Sequence, residues 1–158
     1  MLRRVWAKEG RRPIATAQPR YAWLYLYGFV HPGRGAVEWF LCSAVNTALF
    51  AAVLARFAQM VGAGADKTVI LVLDNAGWHG GGRLEPPEGV RLVFLPPYSP
   101  ELQPAEHLWP LAREAVANQS FASLRDLDQV LAERCLALGD QPDLIKAHTH
   151  FHWWPDAA

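Results

Sequence analysis

The chain has 158 residues, 51% of them apolar, and basic and acidic side chains in equal number, 15 of each. That length suits one domain, residues 1–158, with a core of its own. No apolar run reaches the roughly 18 residues of a membrane span, and Trp6-Ala7-Lys8-Glu9-Gly10 stands where a signal peptide needs an apolar stretch, so the composition excludes a membrane protein and points to the cytoplasm.

The balanced charge is unevenly spread. Up to Arg34 the basic residues Arg3, Arg4, Lys8, Arg11, Arg12, Arg20 and Arg34 face Glu9 alone, which leaves the remainder net negative. Such a segment suits a polyanion partner, because Lys and Arg neutralise phosphates and release counterions; a solvated arm is the plain alternative. Cys42 and Cys135 lack metal-ligand or redox spacing and read as small core residues in a reducing compartment.

Residues 1–19 have no sustained period and predict an irregular arm or an edge strand. Tyr21 to Val30 is rich in aromatic and β-branched residues and predicts a strand. His31-Pro32-Gly33-Arg34-Gly35 then reads as a turn, and Ala36 to Ser43 as the second strand of a hairpin. Asn46 or Thr47 can cap a helix whose Leu49, Phe50, Val53, Leu54 and Phe57 share one face, with Gly62 and Gly64 ending it. Val69 to Leu73 is apolar at every position, the pattern of a central strand covered on both faces. Gly77 and Gly80-Gly81-Gly82 make a permissive loop, Arg91 to Leu95 a short strand, and Pro96-Pro97 its stop. Pro104 suits the first turn of a helix reaching about Asn118. Ser120 or Ser123 begins a last helix with Leu124, Leu127, Val130, Leu131 and Leu138 as its stripe, and the tail His148–Trp154 reads as strand or ordered coil. No repeat or linker divides the chain. Strands followed by alternation with helices predict an α/β fold, a mixed sheet flanked by helices.

Two carboxylates stand where chemistry would choose them. Asp74 directly follows an apolar strand, so it projects from the carboxyl end of the sheet, where open α/β sheets bind ligands; Asp-Asn pairs also simply start turns. Glu106 lies near a predicted helix start, where the macrodipole favours its ionised form, as it does for any acid so placed. Glu101 is its rival in the same segment. Asn75, His79 and His107 are candidates for orienting a carboxylate or a bound water, although a His in a glycine-rich loop is often only exposed. Trp109 reads as core. Ser99 lacks nucleophile-elbow glycines, the glycine triplet lacks a following Lys-Ser/Thr, and three alternating histidines (148, 150, 152) in one strand form a poor metal triad.

The segments Leu73-Asp74-Asn75-Ala76-Gly77-Trp78-His79 and Leu95-Pro96-Pro97-Tyr98-Ser99-Pro100-Glu101-Leu102-Gln103-Pro104-Ala105-Glu106-His107-Leu108-Trp109 together resemble the DDE transposases of bacterial insertion sequences, in the mariner-related branch whose catalytic domain is called a DDE superfamily endonuclease. Trp6 to Pro13 resembles the family's basic stretch after its first strand. The resemblance implies a ribonuclease-H-like fold, cleavage and joining of DNA at transposon ends and targets, and three acids holding two divalent ions, Mg²⁺ or Mn²⁺. Asp74 matches the second acid and Glu106 the third. The charge of the basic arm makes Arg3, Arg4, Lys8, Arg11 and Arg12 the expected DNA contacts, with a homodimer or association with a full-length transposase as expected protein partners. No acid before Asp74 matches the first, Glu9 lying in the basic arm and Glu38 on another strand. The expectation is an amino-terminally truncated catalytic domain lacking its first strand, holding metal weakly and inactive alone; the alternative is a non-catalytic DNA-binding or dimerisation module.

Overall fold

A computed structural model describes residues 6–11, 22–79 and 84–152. The expectations for Arg3, Arg4, Arg12, the glycine triplet and Trp153-Trp154 lie outside those residues. The fold is mixed α/β: strands β1 (Tyr25–His31), β2 (Ala36–Cys42), β3 (Val69–Leu73) and β4 (Val90–Phe94), and helices α1 (Thr47–Val61), α2 (Leu108–Arg113), α3 (Leu124–Gly139) and α4 (Pro142–Thr149).

The predicted hairpin forms, with β1 and β2 antiparallel from Tyr25 opposite Cys42 to His31 opposite Ala36. Side chains alternate across a strand, and here both faces of β1 are used. Phe29 and Tyr27 join a cluster with Phe50, Val53, Leu54 and Phe57 of α1 and Leu73 of β3. Leu26 and Val30 face the other way, onto Ala105, Leu108, Ala112, Leu138 and Ile145. The hairpin thus lies between α1 and the carboxyl-terminal helices.

Helix α1 follows its local signals: Asn46 Oδ1 accepts from the Leu49 N–H at 2.9 Å, and Gly62 closes the helix at φ +69°. Among the described residues the reading of Val69–Leu73 as a central strand covered on both faces is not met. β3 pairs in parallel with β4, and among the described residues the strands form two separate two-stranded sheets. Val69, Leu71 and Leu73 pack towards the α1 cluster, whereas Ile70 on the opposite face is 66% exposed.

The helix expected from Pro104 to Asn118 is also corrected. A 3₁₀ turn (Pro104–His107) precedes α2, and a second (Glu114–Val116) follows it. Pro110 explains the break, because it has no N–H for the Glu106 carbonyl and its ring collides with that carbonyl in a continuous helix. Of the two serines, Ser123 caps α3, in a reciprocal capping box with Asp126. Along the α3 stripe Leu138 is buried and Leu124 is not. The tail expectation fails for His148 and Thr149, which close α4 behind Pro142, so the three histidines share no extended face. Both cysteines are free. Burial pushes the Cys135 thiol up to about 11, with Arg134 opposing the shift.

Two glycines with the same backbone conformation differ in surroundings. Gly35, at φ +64°, would place a Cβ 1.9 Å from the Pro142 carbonyl oxygen, so the hairpin turn is seated on the start of α4; Gly62 would meet nothing within 4 Å. In urea unfolding, Gly62→Ala is expected to cost about 1 kcal/mol, the left-handed penalty alone. Gly35→Ala should cost at least twice as much, since overpacking adds roughly 1–3 kcal/mol. Equal losses would overturn this account of the contact.

Candidate functional site

Asp74 emerges from the buried end of β3, one residue beyond Leu73. Its Oδ1 accepts from the Ala76 N–H at 3.2 Å and stands 2.6 Å from His79 Nδ1. A carboxylate only accepts, so Nδ1 is the protonated nitrogen of that pair. Both bonds use Oδ1, and Oδ2 is the oxygen left for an external partner. The His79 side chain is 11% exposed against 51% for Asp74, and its ring lies 4.4 Å from Phe50 and edge-on to Trp78 at 5.6 Å. His79 is therefore a fixed brace anchored in the core.

Glu106 comes from the other side of the hairpin. Its neighbours Pro104, Ala105 and Leu108 are buried, while Glu106 itself is exposed. Buried residues on both sides hold the backbone, and the short 3₁₀ turn carries the carboxylate outward. Its N–H donates to the Gln103 carbonyl at 3.0 Å.

The two acids meet at a cleft of about 270 Å³ whose walls include Tyr25–Val30 of β1, Ile70–Leu73 of β3, Trp78, His79 and Gln103–Glu106. A second cleft of about 370 Å³ adjoins it, lined by Asp74, Asn75, Glu106 and the turn from Pro96 to Pro100. Asn75 Nδ2 donates to the Leu95 carbonyl at 2.5 Å, which ties the Asp74 loop to the end of β4. Gln103 lines both clefts, a position that no chemical feature of the sequence distinguishes. The Tyr27 hydroxyl, on the wall of the first cleft, is pushed up by burial and then by Cys42.

His107 does not join this group; its ring packs edge-on against Phe151 at 5.0 Å and lines neither cleft. Glu101 lies in the neighbouring turn and lines neither cleft either. Lys8 and Arg11 are exposed in a turn closed by the Arg11 N–H donating to the Lys8 carbonyl at 3.0 Å.

The donor set suits a hard divalent cation in kind, since carboxylate oxygens are what Mg²⁺ prefers. It is short in number: among the described residues no group of three or more His, Cys, Asp or Glu side chains is placed to hold an ion. Nor, among them, is any helix long and apolar enough to cross a membrane.

The family model for DDE superfamily endonucleases matches residues 1–128. An uncharacterized protein, y4pE/y4sA, of Sinorhizobium fredii is 36% identical over 124 residues, covering 76% of this chain and 88% of that protein. No solved structure matches the chain.

The Asn75 brace has a measurable consequence. Asn75→Ala removes one side-chain hydrogen bond and should cost about 1 kcal/mol in urea unfolding. Amide exchange should quicken around Asp74–Ala76 and Leu95–Tyr98; unchanged exchange there would show that the brace is idle.

Proposed function

The chain belongs to the DDE superfamily endonucleases, and from that premise we propose that it is a transposase-type domain acting on DNA strands, with Asp74 and Glu106 as two of its metal-holding carboxylates. The observation that carries this reading is that the two acids come from opposite sides of the hairpin and line one cleft. Asp74 Oδ2 and the Glu106 carboxylate would hold Mg²⁺ or Mn²⁺. Such an ion, when bound, lowers the pKa of an attacking water or 3′-hydroxyl and stabilises the leaving oxygen. The chain's own residues do the positioning. His79 fixes Oδ1 of Asp74 and keeps it from rotating, and Asn75 holds the loop that carries it.

The same reading extends to the fold. We infer a ribonuclease-H-like sheet in which β2–β1 and β3–β4 are two halves, joined by one further strand seated in the cleft between β1 and β3. Support comes from the cleft itself, whose walls are consecutive residues of both strands, and from the unmet edge that each sheet presents there among the described residues. An acid on such a strand would complete the set that Asp74 and Glu106 begin.

A second reading, a DNA-binding module without cleavage, is favoured by the shortage of acids together with exposed Lys8 and Arg11. Arg3, Arg4 and Arg12 add basic residues to the same stretch of sequence. Binding that weakens steeply with salt, survives Asp74→Ala and fails when these five cations are neutralised would support it.

Two measurements test the first reading. Mn²⁺ binding, followed by electron paramagnetic resonance, should be lost in the Asp74→Asn/Glu106→Gln double variant. It should weaken roughly tenfold to a hundredfold in His79→Phe, which keeps the ring on Phe50 but removes Nδ1. Binding unaffected by all three changes would sink the site. In Mg²⁺, residues 1–158 should nick supercoiled DNA no faster than background; robust nicking abolished by Asp74→Ala would show that the two acids suffice and that no strand-borne acid is needed.

A further inference from the structure

Tyr98 is fully exposed, at 100%, and its backbone sits at φ +60°. Left-handed backbone is disfavoured for any residue with a Cβ, and most of all for bulky ones. An aromatic ring wholly in water also gains nothing from burial. Folding therefore has no use for tyrosine here; glycine or asparagine would suit this backbone better.

The turn that carries the ring is nonetheless well braced. Pro97 and Pro100 restrict φ on either side. Ser99 Oγ donates to the Pro97 carbonyl at 3.3 Å, and the Leu102 N–H to the Ser99 carbonyl at 3.1 Å. The Leu95 N–H donates to the Leu73 carbonyl at 2.8 Å, and Asn75 grips the Leu95 carbonyl, so the turn is tied to the strand that carries Asp74. Tyr98, Asp74 and Glu106 line the same cleft.

We propose that Tyr98 is a stacking platform for one unpaired DNA base at the lip of the carboxylate cleft. This rests on the reading of that cleft as a site acting on DNA strands. A base inside a duplex has both faces covered by its neighbours, so a projecting ring can stack only on a base at a single-stranded end or one turned out of the helix. Stacking on an aromatic face is tolerant of base identity, so the ring selects strand state rather than sequence. A base so held leaves its sugar and phosphate towards the cleft that the same turn walls.

The test uses the full chain in fluorescence anisotropy with two probes: a blunt duplex, and the same duplex carrying a single-stranded overhang with 2-aminopurine in it. Wild type should prefer the overhang and quench its 2-aminopurine. Tyr98→Ala should weaken overhang binding about five- to a hundredfold and abolish the quenching while leaving the blunt duplex unchanged; Tyr98→Phe should restore both. Tyr98→Gly relieves the backbone, so loss of overhang binding at an undiminished melting temperature would separate recognition from folding. Equal binding of both probes, unaffected by Tyr98→Ala, would overturn the platform and leave the DNA reading intact. Failure of wild type to bind either probe at low salt would overturn the DNA reading and the platform with it.

Discussion

Burial of both faces of β1 is the constraint on which the other elements depend. Tyr27 and Phe29 point into the α1 cluster, and Leu26 and Val30 into the cluster built by the carboxyl-terminal helices. Phe29 is buried and Leu26, Tyr27 and Val30 are half-buried; full burial of a large apolar side chain contributes roughly 1.5–3 kcal/mol, so baring either face costs a share of that. A strand flanked on both sides sets the order: α1 on one face of the hairpin and the carboxyl-terminal helices on the other. Asp74 follows β3, which packs on α1, and Glu106 lies in the turn that leads into the carboxyl-terminal helices. They share a cleft whose wall is β1 itself.

That arrangement explains which parts were legible in the sequence. Helix α1 carries its own instructions, with Asn46 at its start, Gly62 at its end and an apolar face between them, so local reading suffices. The hairpin is equally local. An apolar residue at every position reports only that both faces are suitable for burial, not that both are covered. Val69–Leu73 meets that description, yet among the described residues only one of its faces has an extensive apolar partner. β1 has two partners, and its Gly28 and its tyrosines made the pattern less uniform. Which face finds a partner is decided by elements far away in the chain, and periodicity carries no record of them.

The grouping of the candidate residues was legible to a similar degree. Residue chemistry and the family resemblance singled out Asp74, His79 and Glu106, and the fold sets all three on one cleft. His107 belonged to the same motif by position, but its ring turns to Phe151. A neighbour in sequence on a 3₁₀ turn points about a third of a turn away, so adjacency to Glu106 argued against a shared role. Tyr98 looked like part of a proline-rich connection. Its left-handed backbone and bare ring are conformational facts that residue type alone does not announce.

The proline spacing around Glu106 links these observations to the chain itself. Pro104 presets the φ of the first residue in its turn. Pro110, four residues after Glu106, denies the Glu106 carbonyl an α-helical donor and excludes it sterically from a continuous helix. Between them the backbone closes a 3₁₀ turn, with the Glu106 N–H on the Gln103 carbonyl, and starts α2 afresh at Leu108. Buried Leu108 then locks that restart against the hairpin. A continuous helix would have advanced by a different rotation and rise per residue, turning Glu106 relative to the buried Ala105 and Leu108 and so changing how it faces the clefts it now lines. The two prolines therefore act on the carboxylate from outside the cleft, by setting the geometry of the turn that presents it.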